Sequence, residues 1–435
     1  MSSQSHQHLM SNQSSPMRRA GFVGTRFAGT DGVSLETTKW EHVFARMGID
    51  SVYFCGVSDH PAASSYIAPH AFFEHPDIMA IQEQCFGAQR RPPELSREIR
   101  LITELLKEQL YRFLELLQPD FLVPENALAI PMNIPLGLAI TELIAETGIP
   151  TLAHHHDFAW ERDRFRVNAV ADILTAAFPP RLPSIRHAVI NLEAQRQLAH
   201  QCGLSSVVVP NVFDFAQPAP GVDDYNRDLR SALGIAPEEI MLLQPTRIIA
   251  RKGIEHTLEL ASRLHRPGRP VVVVIPHQEL DEGDAYAQRV LAYAESLGVR
   301  TIVRSDRIAL TRGRTGTGEG AKVYSLWDLY LHCDFVSYPS LYEGFGNAFV
   351  EAVFFNKPIC VNRYSVYRED MEPLGFQVVT MDGYITDEVV REVEQLLGDP
   401  AECAKRAETN REIAARNFSY EVLESRLREL LAVLR

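Results

Sequence analysis

PSLYEGFGNAFVEA, from Pro339 to Ala352, follows directly on an apolar run, Phe335 to Tyr338, that reads as a β-strand. Gly344 and Gly346 put a turn there, and the apolar spacing from Asn347 to Phe355 predicts a helix. Such a turn leaves the amides of Gly344, Phe345 and Gly346 without helical partners, at a helix N-terminus whose dipole favours phosphate or sugar oxygens. Glu343 stands on the turn, and Glu351 follows eight residues later within the helix. Two carboxylates beside an anion site suit hydroxyl-rich ligands, because a carboxylate accepts two hydrogen bonds from a vicinal diol. The plainer reading is a helix capped by acidic residues. Strand, glycine turn and helix, with ligand groups at the strand's carboxyl end, make one unit of a doubly wound α/β sheet.

The unit recurs in both directions. Upstream of the linker, Gly21 to Val23, Ser51 to Cys55, Phe121 to Val123, Thr151 to His154, Ala188 to Leu192 and Val207 to Val209 read as strands, separated by amphipathic stretches such as Leu95 to Leu117. Around Pro210 to Asp224 the texture turns Pro- and Asp-rich, and the pattern then restarts. Met241 to Leu243, Val271 to Ile275, Thr301 to Val303 and Ile359 to Val361 read as further strands. Helices are expected at Ile254 to Leu264, Tyr286 to Leu297, Ser325 to His332, Glu388 to Leu397 and Tyr420 to Leu434. The chain therefore divides into a tail at 1–17, a domain at 18–209, a linker at 210–224, a second domain at 225–415 and a terminal segment at 416–435. Ligands are expected at the carboxyl ends of the strands and between the domains.

With 435 residues, 46% hydrophobic and 23% charged, the chain is long enough for two or three cores and ordinary for a globular protein. Its net charge of -13 argues against a nucleic-acid or basic membrane-surface partner. Six scattered cysteines lack zinc-site spacing and read as reduced thiols in a cytoplasmic protein. The Ser/Gln/His-rich start, Met1 to Pro16, has no apolar core of a signal peptide and reads as disordered. The longest uncharged apolar segment, between Glu125 and Glu142, is too short and too Pro-interrupted for a membrane span.

A second strand-to-helix turn, QPTRIIARKG from Gln244 to Gly253, carries Arg247 and Lys252. Both can clamp a diphosphate, Arg as a fork and Lys as a point charge, although two solvated basic residues are the plainer reading of that stretch alone.

Arg247, Lys252, the Pro339 to Gly346 turn and the Glu343/Glu351 pair together resemble the retaining nucleotide-sugar glycosyltransferases of family 4, which have the GT-B fold: two doubly wound Rossmann-like domains facing a central cleft. The loop GTRFAGTDGVS, Gly24 to Ser34, looks like that family's first glycine-rich loop, and His156-Asp157 like its N-domain histidine. Pro210-Asn211 with Asp214 matches its linker. The resemblance implies that the first domain binds the acceptor, the second the donor, and that the last helix crosses back to the first. It implies that Gly32 faces the donor phosphates, Arg247 and Lys252 the diphosphate, Glu343 the transferred sugar, Glu351 the ribose, and His156 the sugar or the forming bond. The amides of Gly344, Phe345 and Gly346 complete the donor site. Arg26, Glu125, Asn126 and His155 are acceptor candidates, because their segments end strands at the crevice. PENALAIPMNIPLGLA with HHHDFAWERDRF most resembles the branch that makes small soluble glycosides, mannosylglucosylglycerate synthases among them.

Three departures stand out. Asp31-Gly32 replaces the family's Gly-Gly, Asn356 replaces the small residue before Lys-Pro, and VNRYSVY from Val361 to Tyr367 replaces a glycine-rich wall of the donor pocket. Within His154-His155-His156 only the first and last share a strand face, and spacing offers no third ligand, so no metal is expected. GRTGTGEGAK, Gly313 to Lys322, fails the phosphate-loop pattern and reads as a flexible loop. Arg90, Arg91, Arg97 and Arg100 form a local basic patch, either a solvated face or a trap for an anionic acceptor.

The expected activity is transfer of an α-hexose, mannose or glucose, from a donor such as GDP-mannose or UDP-glucose to a small soluble polyol, glycerate-type or sugar acceptor. No cofactor beyond the donor and no stable membrane insertion are expected, and the oligomeric state is open. A sugar phosphorylase, a lipid-acceptor transferase and a non-catalytic sugar-nucleotide sensor on the same fold are the alternatives.

Overall fold

The computed structural model describes residues 17–29, 32–276, 284–304, 306–309, 311–315 and 320–434. The expected tail, Asp31 of the first loop and residues 316–319 of the Gly313 to Lys322 loop lie outside the described residues. Two compact units emerge: one runs through Val189 and adds Leu198–Val207 and the chain from Glu424, and the other takes Ile190–Gln197 with Val208–Leu423.

The first unit is built on β1 (Arg19–Val23), α1 (Gly32–Arg46), β2 (Asp50–Cys55), β3 (Ser65–Ile67), α2 (Pro93–Leu117), β4 (Phe121–Pro124), α3 (Ile134–Thr147), β5 (Thr151–His155), β6 (Ile185–Val189) and β7 (Ser206–Val208). The sheet order is β3-β2-β1-β4-β5-β6-β7, and the pairs from β3 to β6 run parallel. Its strands are buried on both faces, as a sheet sandwiched by helices requires. Leu95, Ile99, Ile102, Leu106, Leu110 and Phe113 form the buried stripe of α2, which packs against α3. Lys107 links the two helices by pairing with Glu142 at 2.8 Å and Glu146 at 3.0 Å. The apolar segment between Glu125 and Glu142 runs into α3, which is capped by the Asn133 side chain and ended by Gly148 at φ +65°. No helix among the described residues is long and apolar enough to cross a membrane.

The second unit comprises β8 (Ile240–Leu243), α4 (Ile254–Leu264), β9 (Val271–Ile275), α5 (Asp284–Ser296), β10 (Arg300–Val303), α6 (Leu326–His332), β11 (Phe335–Tyr338), α7 (Asn347–Phe354), β12 (Ile359–Asn362), β13 (Val379–Met381), α8 (Asp387–Gly398) and α9 (Pro400–Asn417), and the chain then enters α10 (Tyr420–Val433). The order β10-β9-β8-β11-β12-β13 is parallel throughout. Both sheets reverse direction of growth between their first and fourth strands, β1/β4 and β8/β11. In doubly wound sheets such a switch point, outside the strands' carboxyl ends, is where ligands bind.

One strand expectation is corrected. The strand near Ala188 to Leu192 runs instead from Ile185 to Val189, because Asn191 accepts from Ala194 N at 2.6 Å and starts a helix at Leu192. Helices α1 and α9 were not foreseen. Neither was a small sheet of Ile308–Ala309, Gly313–Arg314 and Lys322–Ser325.

Candidate active site

In the second unit the two turns read from sequence leave adjacent strands at the crevice. β8 leads into Gln244–Gly253 and β11 into Pro339–Gly346. They are stitched together: Leu341 N donates to Arg251 O at 2.8 Å. Gly253, at φ +59°, has no room for a side chain, since a Cβ would come 2.5 Å from the Pro339 carbonyl. The stitching brings Lys252 Nζ onto Glu343 Oε1 as a buried ion pair. Arg251 Nη1 adds bonds to Glu343 Oε2 and to Tyr342 O, both at 3.0 Å.

Burial opposes ionisation of Glu343, but the charges of Lys252 and Arg251 outweigh it and hold the carboxyl below its usual range. Burial also depresses Lys252, and Glu343 offsets that only in part. Arg251 was missed from sequence; its place beside Lys252 on the same turn was the available signal. Arg247 lies part-buried on that turn, within the electrostatic reach of Lys252.

Gly346 caps α7 at φ +121°, without a side-chain cap, and a Cβ there would run into the Tyr364 hydroxyl. Tyr364 comes from the segment that departs from the family pattern. Its hydroxyl donates to Phe345 O at 2.9 Å, and Asn362 Nδ2 donates to Ser340 O at 2.9 Å. The departure thus puts a buried aromatic brace under the Gly344-Phe345-Gly346 turn. Asn191 Nδ2 donates to Gly344 O at 2.5 Å. Glu351 Oε2 accepts from Tyr330 OH of α6 at 3.1 Å.

In the first unit, the ends of β1 and β4 border a cavity of about 190 Å³ lined by Thr25, Arg26, Phe73, Glu125, Asn126 and Asn133, among others. Arg26 lies over the Phe73 ring, 5.4 Å from its centroid. Gly32 opens α1, and a Cβ there would meet nothing within 4 Å.

Behind this cavity the histidine run divides by strand alternation. His154 Nδ1 and His156 Nε2 both reach Glu125 Oε2, at 2.9 and 3.2 Å. His155, expected at the acceptor site, is instead buried on the opposite face, with Nε2 2.9 Å from His187 Nδ1. Burial lowers both His155 and His187, the latter to about 4.

The expectation that no third ligand accompanies His154 and His156 is also corrected. β4 and β5 are neighbours, and Glu125 completes a trio whose ligand atoms lie within 4.8 Å of one another. These atoms already satisfy each other by hydrogen bonds. His154 Nε2 is buried with no hydrogen-bond partner, whereas a metal-bound imidazole uses its second nitrogen to hold an outer partner. Trp40 stacks on His154 at 4.1 Å.

Three arginines of the basic patch have carboxylate partners. Arg91 forks onto Asp172 at 2.9 and 2.8 Å, Arg97 pairs with Glu94, and Arg100 pairs with Glu104 and Glu142. That is the ion-paired surface reading rather than an anion trap.

Two parallel doubly wound units, with turn-borne charges at each switch point, define a GT-B glycosyltransferase. The fold is shared with sucrose-phosphate synthase of Thermosynechococcus elongatus (13% identity, 96% of this chain and 99% of that one, TM-score 0.64). It is shared too with Anabaena HepE in complex with UDP and glucose (14% identity, 96% and 100%, TM-score 0.61). The chain is 33% identical over 438 residues to the mannosylglucosylglycerate synthase of Thermotoga maritima, covering 92% of this chain and 97% of that one. It is 31% identical over 383 residues to that of Petrotoga mobilis, covering 83% and 86%. No protein-family model matches. The chain belongs to the mannosylglucosylglycerate synthase family.

Proposed function

We propose that this chain transfers a hexose, mannose or glucose, from a nucleoside diphosphate sugar to a small glycerate-type acceptor with retention of configuration. The observation that carries the reading is the pair of stitched turns at the second unit's switch point. They set Lys252, Arg251 and Glu343 at the mouth of a helix N-terminus braced by Tyr364. A diphosphate there meets Arg247, Lys252 and the amides of Gly344, Phe345 and Gly346. Glu343 takes hydroxyls of the transferred sugar, and Glu351 takes the ribose.

In the reaction the acceptor hydroxyl oxygen bonds to the anomeric carbon on the face from which the diphosphate leaves. The bond to the phosphate oxygen breaks, and a phosphate oxygen receives the hydroxyl proton. The cations stabilise charge growing on the leaving group, the preorganised term that usually dominates such catalysis.

The first unit's cavity suits the acceptor. Arg26 is its cation, and the Glu125 charge behind it is compensated by histidine contacts, so a single carboxylate is the matching ligand. The two relatives, mannosylglucosylglycerate synthases by name, support that acceptor class. The free thiols at all six cysteines support a cytoplasmic setting. We expect no required metal, so that activity persists in EDTA; metal-reversible loss would contradict this. Thermal-shift screening against GDP, UDP and ADP and their sugars tests the donor site, since a ligand of the native state raises stability as RT ln(1 + [L]/Kd). One nucleotide series should raise Tm, and no shift with any of them overturns the reading.

A further inference from the structure

We propose that Glu125 and Asn126 are positioning residues rather than substrate contacts, and that together they fix the His156 ring with its Nδ1 edge toward the substrate. The inference rests on the reading above, in which His156 reaches the sugar or the forming bond.

Both residues border the cavity, yet the polar atoms of Asn126 and Oε2 of Glu125 are used within the protein, and Glu125 Oε1 is buried without a partner. Asn126 has φ +55°, a left-handed conformation that asparagine adopts more readily than most residues other than glycine. From there its amide donates to His154 O at 2.8 Å. Its Oδ1 accepts from His156 N at 3.0 Å and Asp157 N at 3.4 Å, and its Nδ2 donates to Asp157 Oδ1 at 2.8 Å. Asn126 therefore clamps the backbone that carries His156. The Glu125 side chain is fully buried, with Oε2 on both histidine rings.

The orientation of both rings follows from counting protons. A carboxylate oxygen bonded to two imidazoles needs an N–H from each, Nδ1–H of His154 and Nε2–H of His156. His154 Nε2 is buried without a partner, which a bare lone pair tolerates and an N–H does not, so His154 is neutral. His156 retains an exposed edge of 10%, and its remaining ring nitrogen, Nδ1, is the atom left for a ligand.

Burial opposes charge on His156, but the hydrogen bond and charge of Glu125 outweigh it, with Glu36 and Asp157 acting in the same direction, and its pKa rises above the usual value. Burial lowers His154. The other groups facing the cluster are Lys39, paired with Glu36, and Arg162, paired with Asp157. Protonation of His156 places an N–H on Nδ1 as well, and the Glu125 contact favours that form.

The test is imidazole 15N NMR of the full-length, ligand-free protein across pH 5 to 8.5, for the wild type and Glu125→Gln. It needs no turnover, so it stands or falls separately from the transferase assignment. We expect His156 to titrate above 6.5 in the wild type, and about one pH unit or more lower in Glu125→Gln. The high-pH limb of kcat/KM should move with it. Asn126→Gly, which keeps the backbone angle and removes the clamp, should lower kcat at unchanged acceptor KM. Titration of wild-type His156 at or below 6.5 overturns the proposal, and that measurement needs no variant to fold. So does a value unmoved in Glu125→Gln, or an Asn126→Gly effect confined to acceptor KM.

Discussion

Lys252 reaches from one strand-to-helix turn to the buried carboxylate of Glu343 on the next, although the two residues lie 91 positions apart. With Arg251 on the second carboxylate oxygen, the Glu343 charge is met by two cations. In the proposed reading a diphosphate shares Lys252 with Glu343.

Lys252→Ala should therefore fail in two ways. Transfer should fall about 100-fold or more, on the order of 3 kcal/mol of lost transition-state stabilisation. Stability should also fall, because buried Glu343 keeps Arg251 but loses its more buried cationic partner. Lys252→Met combined with Glu343→Gln should recover the stability and not the activity. Denaturant melts alongside kinetics check both, and a fully active single variant would remove Lys252 from the donor site.

Glu343 and Glu351 should separate kinetically. Glu343→Gln should lower kcat, whereas Glu351→Gln, on the helix and bonded to Tyr330, should weaken nucleotide binding with a smaller effect on kcat. Calorimetric titration with the nucleoside diphosphate and initial rates measure the two effects. Equal stability losses with unchanged kinetics would make both residues structural.

Much of this arrangement was legible in the sequence because it is local. A turn after a strand, glycines and charges at fixed offsets identified Lys252 and Glu343 without their being seen together. The Arg251 contact, the Tyr364 brace and the Glu125 bond to His156 depend on which strands are neighbours, and sequence spacing does not carry that information. His155 was misplaced for the same kind of reason: its neighbours' chemistry suggested a ligand site, but the pleat turns it to the opposite face. Helix α1 went unread because its start coincides with the glycine loop, and its buried face of Trp40, Val43 and Phe44 is short.

The His155–His187 pair makes stability fall on acidification. Burial holds His187 at about 4, against 6.5 when exposed, so the unfolded chain binds more protons between those values and stability rises with pH across that window. The contribution is on the order of 3 kcal/mol. Urea melts from pH 7 to pH 4 should show the decline in the wild type and a flatter one in His187→Gln. An identical slope in both would refute the assignment.

Arg26 should govern the acceptor alone. Arg26→Ala should raise acceptor KM about tenfold or more, as expected for loss of a charge-assisted pair, and leave donor KM unchanged. A change confined to donor KM would move Arg26 out of the acceptor cavity.

The most direct test of the central claim is 1H NMR of the product formed from an α-linked nucleoside diphosphate hexose and a glycerate-type acceptor. The account predicts a new glycosidic signal with α configuration, formed in step with release of the nucleoside diphosphate. A β-linked product, or hexose transfer that requires inorganic phosphate and no nucleotide, would contradict it.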